Sequence, residues 1–166
     1  MSDWVVRDER GSDADAIATL TYLAFSEAQH TDGTEGAIAG RLRDAGALTV
    51  SLIAETNGAA IGHAAFSPVM IADGSAGWYW LGPVAVVPAR QAQGIGSALI
   101  REGIARLRRL GARGCVVLGD PAFYGRFGFR HDPGLVYPGP PPEYFQRIVF
   151  SGPAPHGEVS YSRAFG

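Results

Sequence analysis

A glycine-bearing loop in the stretch from Val84 to Gly111 carries the residue types best suited to bind an anion. A β-branched apolar run is stopped there by Pro88, and the loop behind it opens directly into a helical pattern that Gly111 closes. The apolar residues near one face of that predicted helix are Ile95, Leu99, Leu107 and Leu110. Gly94 and Gly96 lack Cβ atoms, so a ligand can come close to the backbone N–H groups of the first helical turn. Those donors have no partner within the helix and lie at the positive end of its dipole. The stretch therefore predicts a strand, loop and helix that bind a phosphate or pyrophosphate group.

Two common phosphate-binding motifs do not match this loop. The P-loop of nucleoside triphosphatases needs a lysine at the helix start, but Ser97 follows Gly96 directly. All 14 basic residues are arginines, which also excludes chemistry through a lysine Schiff base. The dinucleotide motif G-x-G-x-x-G needs a third glycine where this chain has Leu99, and no acidic ribose partner stands on a following strand.

Two sequence motifs, in the right order, resemble those of the GNAT superfamily of N-acetyltransferases. The pattern Gln91-x-x-Gly94-x-Gly96 after a valine-rich strand resembles the loop that binds the pyrophosphate of acetyl-CoA. Downstream, a buried-strand pattern is followed by the run F-Y-G-R-F-G-F, residues 123–129, which resembles the short helix and turn after the fifth strand of that superfamily. The segment G-D-P-x-F/Y-Y-G-R-F-G-F, residues 119–129, is similar to a bacterial branch of predicted acetyltransferases.

The resemblance covers essentially the whole chain and implies its fold. Residues 1–166 are expected to form a single domain with the element order β-α-α-β-β-β-α-β-α-β-β. This is an α/β (α+β) GNAT fold, in which helices flank a central, mixed, mostly antiparallel sheet splayed at its fourth and fifth strands. The alternating patterns of Gln146–Phe150 and Val159–Phe165 complete the prediction as a C-terminal hairpin.

The resemblance also implies the cofactor and the site residues. Acetyl-CoA is expected as co-substrate, with no metal, and Tyr124 matches the position that protonates the departing sulfur. The residues expected to bind acetyl-CoA lie on the central strand and the loop: Val84, Ala85, Val86, Gln91, Ala92, Gln93, Gly94, Ile95, Gly96 and Ser97. No glutamate stands on the central strand, so deprotonation of the acceptor is expected to run through water and backbone carbonyls.

The predicted function is transfer of an acetyl group to a primary amine of an unidentified acceptor, a small molecule or a peptide, by direct attack in a ternary complex. Two alternatives stay open at this point. A non-catalytic acyl-CoA sensor or partner-binding module would keep the loop without transferring anything, because fold alone does not determine activity. An acyl group longer than acetyl is the other alternative, and it depends on the volume of the pocket.

Composition limits the setting in which the chain works. Its 166 residues, 46% hydrophobic and 18% charged, are typical of one soluble domain. A net charge of −2 does not indicate nucleic acid or membrane as a partner. The single cysteine cannot form an intrachain disulfide, and no apolar run is long enough for a signal peptide or a membrane span. We therefore expect a cytoplasmic protein, and a homodimer is left open.

Local patterns place the other elements. A capping-box-like start at Ser12 predicts a first helix, and a second helical pattern with Ile38 and Leu42 closes at Gly46. The dipeptide Asn57-Gly58 predicts a tight β-hairpin. In the resembled superfamily the first two helices flank the acceptor site. Three polar residues near them are therefore candidates for the acceptor side of the cleft: Glu27, His30 and Glu35. For each of them singly, we favour the interpretation as a solvated helix-end or loop residue.

Several other reactive side chains have a structural interpretation. His63 could be a general base, but a half-buried strand histidine with an ordinary hydrogen bond is the interpretation we favour. Cys115 lies inside an apolar strand and is expected to be an inert core residue. An arginine cluster near the end of the central helix either binds the 3′-phosphate of CoA or caps the negative helix end. That cluster consists of Arg106, Arg108 and Arg109.

Overall fold

The computed structural model describes residues 3–26 and 49–161. Nine strands lie in these ranges: β1 Val5–Asp8, β2 Val50–Thr56, β3 Ala59–Ile71, β4 Trp78–Val86, β5 Gly114–Leu118, β6 Arg130–His131, β7 Leu135–Val136, β8 Phe145–Val149 and β9 Gly157–Tyr161. Three α-helices accompany them: α1 Ala14–Ser26, α2 Ile95–Arg109 and α3 Pro121–Tyr124. The predicted second helix and the three acceptor-side candidates Glu27, His30 and Glu35 lie outside the described residues.

The strands form one mixed sheet in the order β1-β2-β3-β4-β5-β8-β6. Every neighbouring pair in this order is antiparallel except β4 and β5, which are parallel. A parallel pair needs a long crossover connection, and α2 supplies it. The predicted mixed, mostly antiparallel sheet is confirmed.

The sheet splays between β4 and β5, as predicted. The two strands pair only from Trp78 opposite Gly114 to Leu81 opposite Val117. β5 ends one residue later, whereas β4 continues to Val86. Among the described strands, none therefore pairs with the last residues of β4 on the β5 side, and this open edge lies beside the start of α2.

The predicted C-terminal hairpin is wrong, although both of its strands exist. β8 pairs with β5 and β6, whereas β9 pairs with the far end of β3 and runs parallel to β7. The reason is that β3 has 13 residues and extends beyond β4, which leaves Val69–Ile71 as an open edge for β9. Alternation in a sequence shows that a segment is a strand, but it does not show which edge the strand will pair with.

Helix α2 packs closely on one face of the sheet. Its residues Ile95, Leu99 and Leu107 are buried, as predicted, whereas Leu110 follows the last helical turn and is exposed. Gly103 allows the close contact, because a Cβ atom there would lie 2.0 Å from the ring of Phe66. This packing places the first turn of α2 beside the unpaired end of β4.

The opposite face of the sheet carries α1 and an aromatic cluster. Ile17 and Leu20 of α1 are buried, while Tyr22 and Leu23 are exposed. Trp80 is buried, and its ring centroid lies 5.2 Å from that of Tyr137 and 5.8 Å from that of Phe145. The tryptophans of β4 are thus core residues. No helix in the described ranges is long and apolar enough to cross a membrane.

Candidate active site

The loop between β4 and α2 leaves the first turn of the helix open. Gly94 is the N-cap residue with φ +84°, and no side chain caps the helix. The side-chain amide of Gln91 donates a hydrogen bond of 2.9 Å to the carbonyl oxygen of Val86, which ties the loop to the end of the strand. The N–H groups that begin an α-helix therefore remain available for an anion from outside the loop.

The loop, the end of β4 and the turn after β5 enclose a cleft of about 540 Å³. Eight of the ten residues predicted to bind acetyl-CoA line it: Val84, Val86, Gln91, Ala92, Gly94, Ile95, Gly96 and Ser97. The other two do not. Ala85 is buried, because alternate residues of a strand face opposite sides of the sheet, and Gln93 is exposed outside the cleft.

The two glycines of the loop, Gly94 and Gly96, have different structural roles. Gly94 has open space around its Cα, but its φ of +84° is a conformation that favours glycine. Gly96 has ordinary helical geometry, and a Cβ atom there would make a normal contact of 3.7 Å with Val86. Gly94 thus shapes the turn, whereas the missing side chain of Gly96 leaves the cleft wide at the helix start.

Tyr124 lies in the same cleft, on the short helix α3. Asp120 caps that helix, its carboxylate accepting a hydrogen bond of 2.9 Å from the N–H of Ala122. The Tyr124 ring packs edge-on against Phe123 and against Gly119, where a Cβ atom would lie 2.5 Å from it. Burial, and to a lesser extent the charge of Asp120, raises the pKa of Tyr124 to about 12. The phenol is therefore protonated at neutral pH and is a proton donor.

Comparison with known proteins agrees with this geometry. Residues 15–129 match the model of the acetyltransferase (GNAT) family. The chain belongs to the GNAT acetyltransferase family. It is 35% identical over 140 residues to the uncharacterized N-acetyltransferase YhbS of Escherichia coli K12, covering 81% of each chain.

Two solved GNAT structures are similar over nearly the whole chain. A GNAT family acetyltransferase from Brucella melitensis, in complex with acetyl-CoA, has 48% identity and a TM-score of 0.88, with 98% of each chain covered. YhbS from E. coli, in complex with CoA, has 32% identity and a TM-score of 0.90, covering 99% of this chain and 93% of that one. The GNAT fold predicted from the sequence is confirmed.

Three residues of this GNAT cleft were not predicted from the sequence: Arg90, Phe123 and Arg126. Arg90 forms an ion pair with Asp3. Phe123 and Arg126 belong to the F-Y-G-R-F-G-F run, in which only the tyrosine was given a chemical role. Phe123 and Arg126 lie one residue before and two residues after Tyr124, and this short spacing could have predicted that they share its cleft.

The arginine cluster near the end of α2 does not line the cleft. Arg106 donates hydrogen bonds of 2.8 Å to Glu102 and 2.6 Å to Asp8, and Arg109 bonds the same glutamate at 3.1 Å. Arg108 stacks 4.4 Å from the ring centroid of Phe150. These contacts join the cluster to carboxylates and an aromatic ring of the fold, and a 3.4 Å hydrogen bond from Arg109 to the carbonyl of Ala105 joins it to the helix backbone. Gly111, with φ +83°, ends the helix beside it, as predicted.

His63 and Cys115 have the structural roles expected of them. His63 is completely buried, where a half-buried position was expected, and its Nε2 lies 2.8 Å from Ser51 Oγ. That hydroxyl donates to Glu9 at 2.9 Å, so its bond with His63 uses the imidazole N–H as donor. Burial raises the pKa of the Cys115 thiol, which disfavours a thiolate nucleophile.

Residues 3–26 and 49–161 contain no group of three or more His, Cys, Asp or Glu side chains that could hold a metal ion. The polar groups that line the cleft are instead backbone N–H groups, two guanidinium groups, a glutamine amide, a serine hydroxyl and a phenol. Such groups bind phosphates and move protons, so the donor set fits a CoA thioester.

Proposed function

We propose that this chain transfers the acetyl group of acetyl-CoA to a primary amine by direct attack in a ternary complex. The observation that carries the proposal is the position of Tyr124. Its phenol lines the same cleft as the uncapped start of α2, so one cleft holds both a phosphate-binding end and a proton donor. The relatives solved with acetyl-CoA and CoA support the same cofactor for this chain.

The loop would bind the pyrophosphate of CoA. The N–H groups of the first turn of α2 point out of the helix, and its dipole favours negative charge there. Gly96 keeps this end of the cleft wide, and the Gln91 amide holds the loop on the carbonyl of Val86. The cofactor-binding residues proposed here are the eight that line the cleft, with Ala85 contributing through its backbone alone.

The unpaired end of β4 would hold the pantetheine arm. Val84 and Val86 line the cleft beyond the point where pairing with β5 stops. Backbone N–H and C=O groups at such an edge need partners, and the amides of the arm provide both kinds. This arrangement would direct the thioester toward Tyr124 at the other wall of the cleft.

Acetyl-CoA supplies an activated carbonyl with a thiolate leaving group. Tyr124 would donate its phenolic proton to the departing sulfur, and its raised pKa keeps that proton in place at neutral pH. Strand β4 carries no acidic side chain and no histidine. The proton of the incoming amine would therefore leave through water and backbone carbonyls.

We also infer, from the segment of residues 119–129, that the chain belongs to the bacterial branch of predicted acetyltransferases that shares this segment.

The proposal is tested by measuring release of free CoA from acetyl-CoA in the presence of a panel of amines. The panel contains polyamines, aminoglycosides, amino acids and peptide N-termini, and intact-mass measurement of the protein accompanies it. We expect turnover with at least one amine and no acetylated protein that passes its label to the acceptor. Tight CoA binding without turnover on any amine would favour the sensor, and a competent acyl-enzyme would overturn direct transfer.

A further inference from the structure

Arg126 lines the cleft from the wall opposite the start of α2. It belongs to the single turn Gly125–Phe127, directly after the helix that carries Tyr124. Its Nη2 lies 3.4 Å from the hydroxyl oxygen of Ser97, which stands in the first turn of α2. A guanidinium group and the positive end of a helix therefore face each other across one narrow space.

Two aromatic rings hold this guanidinium group in position. Its central carbon lies 4.7 Å from the ring centroid of Phe123 and 5.8 Å from that of Phe127. Its Nε lies 3.4 Å from the carbonyl oxygen of Phe123. Stacking restrains the plane of the group, so less entropy is lost when an anion binds. Its two hydrogen bonds within the chain, to the Phe123 carbonyl and the Ser97 hydroxyl, are both long at 3.4 Å, so an anion can replace them.

Arg126 differs from Arg90, the other arginine of the cleft, in the charge that faces it. Carboxylates pair with the guanidinium groups of five others: Arg7, Arg90, Arg106, Arg109 and Arg147. Arg90 is among them, although it also lines the cleft. Within the described residues no carboxylate pairs with Arg126, so its charge is available to a ligand.

We propose that Arg126 binds the pyrophosphate of the CoA thioester from the side opposite the N-terminus of α2. This inference rests on the proposed function. Arginine forms two parallel hydrogen bonds to phosphate oxygens, and the 3.4 Å contact with Ser97 puts it where an anion on the first helical turn would lie. Arg126 follows Tyr124 by two residues, so an anion held by Arg126 would lie beside the segment that carries the proton donor.

Calorimetric titration with CoA and with 3′-dephospho-CoA tests the inference on the wild-type chain, Arg126→Gln and Arg126→Lys. Loss of one exposed charge-assisted hydrogen bond pair corresponds to about a tenfold loss of affinity. We expect Arg126→Gln to lose about that factor for both ligands, because both carry the pyrophosphate. Arg126→Lys should recover part of the loss, since it keeps the charge but not the paired geometry.

The matched control is Arg130→Gln, which removes the same charge from an exposed position outside the cleft. Its affinity should equal that of the wild type. Wild-type affinity in Arg126→Gln overturns the inference and leaves the proposed function intact. A loss for CoA but not for 3′-dephospho-CoA also overturns it, because the arginine would then bind the 3′-phosphate. A wild-type chain that binds neither ligand overturns the proposed function together with the inference.

Discussion

The two ends of helix α2 differ in what their charges face. At the C-terminal end, Arg106 and Arg109 share Glu102, and Asp8 of β1 also binds Arg106. At the N-terminal end no side chain caps the helix, and Arg126 faces it without a carboxylate partner in the described part of the chain. The two ends are about 20 Å apart, given 1.5 Å per residue over 15 residues.

The difference separates guanidinium groups paired with carboxylates of the fold from a helix end and an arginine that we propose bind a ligand. An arginine cluster in a sequence is easily interpreted as a phosphate site. A guanidinium group that already pairs with carboxylates binds a further anion only weakly, because its charge is balanced. We call the N-terminal end of α2 the open end, because its backbone N–H donors lack partners within the helix. We call the C-terminal end, where carboxylates pair with the arginines, the closed end. Four predictions test this contrast, in order of decreasing effect.

The largest effect is expected for Tyr124→Phe at the open end. The change keeps the ring packed between Phe123 and Gly119 but removes the proton donor. General acid catalysis contributes about 10²–10⁴-fold, so steady-state turnover with an accepted amine should fall by that factor. CoA affinity and the unfolding temperature should barely change. The control is Tyr144→Phe, which removes a hydroxyl from an exposed tyrosine outside the cleft. Parental turnover in Tyr124→Phe would assign the proton to water or another side chain.

Gly96→Val should block the open end. Its side chain would enter the cleft, and overpacking typically costs about 1–3 kcal/mol, so CoA affinity measured by calorimetry should fall at least about tenfold. The fold should survive, because a Cβ atom at residue 96 makes only an ordinary contact of 3.7 Å. Ala105→Val on the same helix is the control for the cost of a β-branched residue. Unchanged affinity in a folded Gly96→Val chain would remove the loop from the binding site.

Asp13→Asn should reduce stability without affecting CoA affinity. Arg7 donates bonds of 2.7 and 2.9 Å to this carboxylate, which lowers the pKa of Asp13 to about 2. The pKa of Asp13 is lower in the folded chain than in the unfolded chain, where it is about 4. The ion pair therefore stabilises the fold at pH values above about 4, and this contribution is lost as the pH falls toward 2. The contribution is about 2 kcal/mol at neutral pH. Urea unfolding at pH 7 and pH 3 should show a smaller pH dependence for Asp13→Asn. An equal pH dependence in both chains would contradict the pairing.

The smallest effect is expected for Arg106→Gln at the closed end. Partly exposed ion pairs contribute about 0–1 kcal/mol, so the free energy of unfolding should fall by no more than that. CoA affinity should stay within about twofold of the wild type, since the residue is outside the cleft. A tenfold loss of CoA affinity would restore the 3′-phosphate interpretation of the arginine cluster and break the comparison between the two ends.

Local patterns in the sequence were sufficient for most elements. The Asn57-Gly58 hairpin forms with positive φ at both residues, and α2 ends at Gly111 with the N–H of Ala112 bonded to the carbonyl of Leu107. Short-range backbone geometry decides such features, so nearby residues suffice to predict them. Eight of the ten predicted cofactor-binding residues line one cleft for the same reason, because they form one continuous strand and loop.

Only the tertiary structure decided which strands and side chains pair when they lie far apart in the sequence. β9 pairs with β3 because that long strand leaves an open edge, and Arg106 is held by Asp8, 98 residues away. Arg126 lines the cleft because the turn after β5 folds against the start of α2. Strand edges and charges can be matched in many combinations, and the choice among them depends on which surfaces the core brings together. The sequence by itself therefore determined the glycine-bearing loop and the tyrosine beside it, whereas the fold decided which arginine faces them.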